Sequence, residues 1–207
     1  MIKIHNMKKT FLDKTIFNDF NLEVKSGEFI GVYGKSGQGK TTLLNIIGTL
    51  EKPDSGDILI MEKSLENKKT KRYLLRDEIG FIFQNYALID NETVNNNLEI
   101  ALKHKKMSKP QKKEAMYSAL SEVGLMGYGE KKVHTLSGGE QQRIAIARLL
   151  LKDPSIILAD EPTGSLDNEN RDVIISLFKK LHQKGKTIIV VTHDTSLSHL
   201  FSRIIQL

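Results

Sequence analysis

Apolar and polar positions along the chain fall into two kinds of pattern. Four short runs are apolar at consecutive positions rather than at alternate ones: residues 29–33 (FIGVY), 79–83 (IGFIF), 156–159 (IILA) and 187–192 (TIIVVT). A strand covered on one face alternates, so unbroken runs of this length predict strands buried on both faces. Stretches of helical character separate them. Residues 41–49 follow the first run, residues 140–152 precede the third and are closed by Pro154, and residues 171–184 precede the fourth, with Gly185 as a stop signal. Strands alternating with helices predict an α/β fold with a mostly parallel sheet. The opening differs. MIKIH, followed by TIFNDFNLEV with its apolar residues at alternate positions, predicts an N-terminal antiparallel β subdomain beside the main sheet. Residues from about 91 to 132 read as helical. They open a small α-helical subdomain, about 91–150, inserted in a single domain of residues 1–207.

Composition narrows the class. A chain of 207 residues, 39% hydrophobic with 15 Gly, has the makeup of a globular domain with one sizeable core, not of a disordered or fibrous chain. Its longest purely apolar runs are far short of the roughly 20 residues of a membrane span, and the N-terminus has no apolar segment of the secretory kind. The absence of Cys removes disulfides, thiolate chemistry and Cys-ligated zinc. The formal charge of +6 leaves phosphate-rich ligands, anionic lipid or acidic partners open. Much of the excess sits in two stretches. Residues 61–76 carry six basic side chains against Glu62 and Glu66, and residues 103–113 carry six with no acid. Such runs are solvated helix faces or attraction surfaces for a membrane or an acidic partner.

The candidate chemistry follows one geometric rule. Gly34 comes after the first apolar run, Gln84 after the second, Asp160 and Glu161 after the third, and His193 after the fourth. Ligands of open parallel sheets bind at the carboxyl ends of the strands, so these groups converge on one crevice. Gly34-Lys35-Ser36-Gly37-Gln38-Gly39-Lys40-Thr41 matches G-x-x-x-x-G-K-[ST] between a strand and a helix. Its glycines let backbone N–H groups wrap phosphate oxygens, Lys40 reaches the β- and γ-phosphates, and the Thr41 hydroxyl ligates Mg²⁺. Asp160 suits the Mg²⁺ shell, and Glu161 is placed to polarise an attacking water. Leu136-Ser137-Gly138-Gly139-Glu140-Gln141 contains a capping box between Ser137 and Glu140. Two glycines in a first helical turn are then unexplained, unless an anion approaches the backbone closely there.

With these motifs in place the sequence resembles the ATP-binding cassette (ABC) ATPases, and the resemblance covers nearly the whole chain. It implies ATP and Mg²⁺ as cofactors and assigns roles residue by residue. Phe11 looks like the aromatic that stacks on adenine, in place of a commoner Tyr; a core Phe on an edge strand is the alternative. Gln84 looks like the glutamine that senses Mg²⁺ and the attacking water, and His193 like the histidine that contacts the γ-phosphate. Ser165-Leu166-Asp167 resembles the segment following the catalytic carboxylates, and Thr42 follows Thr41 where Ser-Thr is common. Ser137, Gly138, Gly139, Glu140 and Asp167 would close on ATP held by residues 34–42 of a second copy, so the resemblance implies a head-to-tail homodimer with two sandwiched nucleotides. It also implies a polytopic permease docking between Gln84 and Ile89, and a location on the cytoplasmic face of the membrane. Residues 159–167 resemble the macrolide and lipoprotein-release exporters, and residues 83–94 the bacteriocin exporters of the lactococcin 972 group. The chain ends 14 residues after His193, so the regulatory C-terminal segment of many relatives is expected to be missing.

Rival classes fit less well. DNA-repair and chromosome ATPases with this head carry long coiled coils or zinc insertions, whereas residues 40–137 show no sustained heptad and no Cys. Translation factors of the ABC type join two cassettes in one chain, and a nucleotide kinase would not explain residues 136–141. No nucleic-acid partner is expected, and a non-transport ABC ATPase acting on nucleic acid or ribosomes is the alternative.

Overall fold

The computed structural model describes residues 1–12, 14–164 and 166–207. Two sheets organise them. The first contains β1 (Ile2–Phe11) and β2 (Lys14–Val24), and the second begins with β3 (Phe29–Tyr33), which leads into α1 (Lys40–Ile47). The chain returns to the first sheet with β4 (Ser55–Ile60) and β5 (Lys63–Ser64), then forms α2 (Lys68–Tyr73), a wide turn at Leu74–Glu78 and β6 (Ile79–Ile82). Helices α3 (Val94–Glu99), α4 (Lys109–Glu122) and α5 (Gly138–Lys152) precede β7 (Ile156–Asp160). Then come α6 (Asn168–Gln183), β8 (Thr187–Val191) and β9 (Arg203–Gln206). The first sheet has the antiparallel order β2-β1-β4-β5, and the second has the order β6-β7-β8-β3-β9 with every pairing parallel.

The unbroken apolar runs have a physical reason. Within β7, Ile156 and Leu158 join one core, while Ile157 and Ala159 join another. In β8, Ile189 and Val191 belong to the first and Ile188 and Val190 to the second. The first core lies against α1 and the antiparallel sheet, through Ile2, Ile4, Leu43 and Ile47. The second lies under α5 and α6, through Ile144, Ala147, Ile174 and Phe178. Each of these side chains is at most 3% exposed, so the parallel sheet is a wall between two apolar layers.

Differences from the sequence-based expectation are local. The first sheet gains β4, whose Ile58 and Ile60 pair with Ile4 and Ile2. The parallel sheet gains β9, which adds to the edge of β3. β6 stops at Ile82 rather than at residue 83, and α1 ends at Ile47 rather than at 49. At Gly48 the Phe81 ring packs where a side chain would stand, 2.0 Å from an ideal Cβ, and Thr49 then takes a positive φ of 62°.

Candidate functional site

The chain leaves β3 at Tyr33 and wraps through residues 34–39 into α1. Gly37 and Gly39 have positive φ of 76° and 98°. A Cβ on Gly39 would lie 2.3 Å from Ile16, so the turn is both left-handed and pressed against β2. No side chain caps α1, which directs its first N–H groups toward an external acceptor. The Lys40 ammonium is folded back onto the carbonyls of Gly34 (2.7 Å) and Lys35 (3.2 Å). Gln38 closes the loop: its N–H donates to the Lys35 carbonyl at 3.2 Å, and its side-chain oxygen accepts from the Lys35 N–H. Lys14 reaches across from β2 to the Gly37 carbonyl at 3.0 Å. Together these form a basic, glycine-rich cradle chemically suited to an anion of phosphate type. Ser36, exposed, and Thr42, half-buried, lie on the same loop and the first turn of α1.

Opposite the cradle stand the carboxylates that end β7. The Thr41 hydroxyl donates to Asp160 Oδ2 at 2.8 Å. Burial pushes the Asp160 carboxyl above the ordinary carboxylate range and the Glu161 charge adds to it, while the Thr41 bond and Lys40 oppose the rise. A hard-oxygen pair short of positive charge is chemically suited to Mg²⁺. Glu161 turns off the strand at a positive φ of 44°, an uncommon backbone state that costs of order 1–3 kcal/mol. Its N–H is held by the Val191 carbonyl at 2.9 Å. Its carboxylate, with the side chain only 12% exposed, accepts from Thr192 Oγ1 at 3.0 Å and lies 2.8 Å from His193 Nδ1. A carboxylate accepts only, which places a proton on Nδ1 and leaves Nε2 on the outward side of a largely exposed ring.

Residues 137–140 sit at the start of α5. Ser137 Oγ accepts from the Glu140 N–H at 3.3 Å, and Glu140 Oε2 accepts from the Ser137 N–H at 2.7 Å. That backbone bond holds the Glu140 carboxyl below its usual range, and the Tyr128 hydroxyl, donating at 2.9 Å, assists. The two glycines have occupants within this chain. A Cβ on Gly138 would lie 2.8 Å from the Tyr86 hydroxyl, and one on Gly139 would lie 2.3 Å from the Asn170 amide carbon. Within the chain, the groups that approach these two glycines closely are Tyr86 and Asn170. No hydrogen bond or ion pair among the described residues joins 137–140 to the cradle at 34–42. Asp167 caps α6 and receives the Asn170 amide at 2.9 and 3.0 Å; Ser165 lies outside the described residues.

Gln84 is exposed in the turn after β6. Two residues on, Tyr86 and Ala87 both have positive φ, and Arg148 of α5 donates to their carbonyls at 3.1 and 2.6 Å. Phe11 ends β1, 42% exposed with the Lys9 ammonium 4.6 Å from its ring centroid, and so is not a core residue. Sequence patterns gave no sign of Thr192, Asn170, Arg143 or Tyr33. Thr192 is wholly buried and also accepts from the Asp194 N–H at 3.0 Å, and the Tyr33 hydroxyl donates to the Asp194 carbonyl at 2.9 Å. The signal for Thr192 was only its place beside His193.

Comparison with known proteins bears on this geometry directly. The family model described as "ABC transporter" matches residues 17–164, which include the cradle, the carboxylates of β7 and the start of α5. The chain belongs to the ABC transporter family. This ABC ATPase is an ATP-hydrolysing subunit that drives transport. It is 38% identical to the lipoprotein-releasing system ATP-binding protein LolD of Aquifex aeolicus, with all of this chain and 93% of the relative covered. It is also 38% identical to the macrolide export ATP-binding/permease protein MacB of Vibrio parahaemolyticus, but spans only 33% of that relative's length. Among solved structures, the dimeric cassette MJ0796 of Methanocaldococcus jannaschii superposes with a TM-score of 0.92 at 39% identity, covering 100% of this chain and 94% of the other. The same cassette is also known in a dimeric post-hydrolysis state bound to ADP and Pi.

Proposed function

We propose that this ABC ATPase powers an exporter through a separate membrane subunit, with two copies sandwiching two ATP molecules. The observation that carries the reading is the convergence of Lys40, Thr41, Asp160, Glu161 and His193 at the carboxyl end of one parallel sheet. The cradle of residues 34–42 holds the phosphates and Phe11 stacks on the base. Thr41, Asp160 and Gln84 hold Mg²⁺, which supplies charge neutralisation at the phosphates when bound. Glu161 accepts a proton from the attacking water while Thr192 and His193 fix its two oxygens. Ser137, Gly138, Gly139, Glu140 and Asp167 face the γ-phosphate of the second copy. The relatives that release lipoproteins or export macrolides support export, and the resemblance of residues 83–94 to the lactococcin 972 group supports a peptide cargo. No helix among the described residues is long and apolar enough to cross a membrane. A partner that spans it, docked near Gln84 and Ile89 on the cytoplasmic face, supplies the path.

Glu161→Gln tests the proposal. It should bind ATP as the wild type does, accumulate as a dimer, and turn over at least about a hundredfold more slowly, as expected for loss of a general base. An unchanged steady-state rate removes Glu161 as the base.

A further inference from the structure

Gln142 lies one turn beyond Gly138 in α5 and is only 1% exposed. Its amide reaches out of the helix to the turn that follows β7, where Nε2 donates to the Pro162 carbonyl at 2.9 Å. A carbonyl only accepts, so the amide nitrogen has to face it. The other end of the same amide is left over: Gln142 Oε1 is buried with no hydrogen-bond partner among the described residues. A buried amide satisfied at one end only lowers stability relative to a well-packed apolar side chain. Packing therefore does not account for a glutamine at this position. What the side chain holds does.

It holds the neighbour of Glu161. Glu161 has a φ of 44° and precedes Pro162, whereas a residue before proline is pressed toward an extended φ of about −120°. Such a conformation persists only where the surroundings over-determine it. Backbone bonds do part of this: the Glu161 N–H donates to the Val191 carbonyl at 2.9 Å, and its carbonyl accepts from the Gly164 N–H at 3.2 Å. Gln142 grips the next carbonyl from a different element, inside a dry contact, since Pro162 and Thr163 are both buried. The following residue of α5 fixes the far end of the same loop. Arg143 Nη1 donates to Asn170 Oδ1 at 2.6 Å, and Asn170 Nδ2 donates in turn to Asp167. Successive side chains of one helix thus anchor the loop at Pro162 and at Asp167.

We propose that Gln142 is a positioning residue for ATP hydrolysis: by anchoring the Pro162 carbonyl it keeps the Glu161 backbone in the uncommon conformation that aims its carboxylate. The inference rests on the reading of Glu161 as general base and deepens it. Thr192 and His193 fix the two carboxylate oxygens. Gln142 fixes the backbone from which that carboxylate projects. Without the anchor the elbow relaxes toward extended φ, and the carboxylate moves away from the place its two partners prepare for it.

The test is a cycle on the full chain: wild type, Gln142→Met, Glu161→Gln and the double variant, each read for ATP turnover, ATP affinity and melting point. A methionine side chain keeps the length and removes the donor together with the unpaired oxygen, so the melting point should stay close to that of the wild type. ATP affinity should not change, because the cradle at 34–42 is untouched. Turnover should fall by roughly tenfold or more, since displacing a reacting group by about 1 Å can cost about a hundredfold. In the Glu161→Gln background the same substitution should slow the residual rate hardly at all, because its effect passes through Glu161. An unchanged kcat for Gln142→Met, a loss of ATP affinity in step with kcat, or the same fold-loss in both backgrounds would overturn the proposal. Glu161→Gln at the wild-type rate removes the base reading and this inference with it. A slowed Glu161→Gln beside a Gln142→Met of full rate refutes this inference and leaves the base reading standing.

Discussion

Gly139 lends itself to a quantitative test because two effects of opposite sign meet there. Replacing a helical Gly by Ala ordinarily stabilises by about 1 kcal/mol in a helix interior, and less in a first turn. Here the new methyl would stand 2.3 Å from the Asn170 amide carbon. That amide is not free to swing away. It donates to both Asp167 oxygens, and its own oxygen accepts from Arg143 Nη1 at 2.6 Å. Arg143 Nε is buried without another partner, so a displaced Asn170 leaves a guanidinium further short of acceptors. Loss of a hydrogen bond to a charged group costs about 1.5–3 kcal/mol, and overpacking of a fitted site costs about 1–3 kcal/mol. Gly139→Ala should therefore destabilise the nucleotide-free chain by about 2 kcal/mol net of the helix gain. For a domain of this length that corresponds to a melting point lower by about 4–8 °C. Urea unfolding of Gly139→Ala, Asn170→Ala and the double variant forms a cycle. The double variant should be no less stable than Asn170→Ala alone, since the clash is then gone. A melting point for Gly139→Ala at or above that of the wild type would refute the assignment of Asn170 as the reason for the glycine.

Two further outcomes test the catalytic ledge. Thr192→Val removes the hydroxyl that both positions Glu161 and accepts from the Asp194 N–H; kcat for ATP should fall by roughly tenfold and Thr192→Ser should restore it, whereas an unchanged kcat would make Thr192 merely structural. Asp160→Asn should raise the stability of the chain free of nucleotide and Mg²⁺ at neutral pH. The wild-type carboxyl has a folded pKa above its ordinary value of 3.8, so the stability linked to its protonated form is lost as pH rises through that folded value. The advantage of the Asn variant should shrink as pH falls from the raised value toward 3.8, and a difference independent of pH would contradict the burial argument.

What the sequence disclosed was governed by how local each signal is. β3, β6, β7 and β8 were legible because two-sided burial leaves no polar position to interrupt the run. β4 was hidden, since its first three residues, Ser55, Gly56 and Asp57, are exposed and resemble a turn. β9 was hidden because Ile204 is 47% exposed on an edge, held by its pairing to β3 rather than by an apolar pattern. At the site, Lys40, Thr41, Asp160 and Glu161 stood out through spacing next to strands. Thr192 and Asn170 did not, because their roles arise from what they touch. Nothing near residue 138 announces that Tyr86 lies against it. The basic stretches show the same division: their charges were countable in the chain, but that Arg72, Arg76, Lys103 and Lys105 line one cavity required the fold.

The way β7 and β8 share their side chains between two layers has a consequence for change in this molecule. A slip of one residue in either strand would exchange every inward and outward side chain and, with them, the height at which Asp160 and His193 meet the loop at 34–39. The reactive groups are thus indexed by packing on both sides of the wall, like teeth on a rack, and cannot be retuned one at a time. Adaptation to a different load falls to parts that hang outside the rack, such as the exposed Arg72, Gln84, Asn85, Lys103 and Lys105, which belong to neither layer.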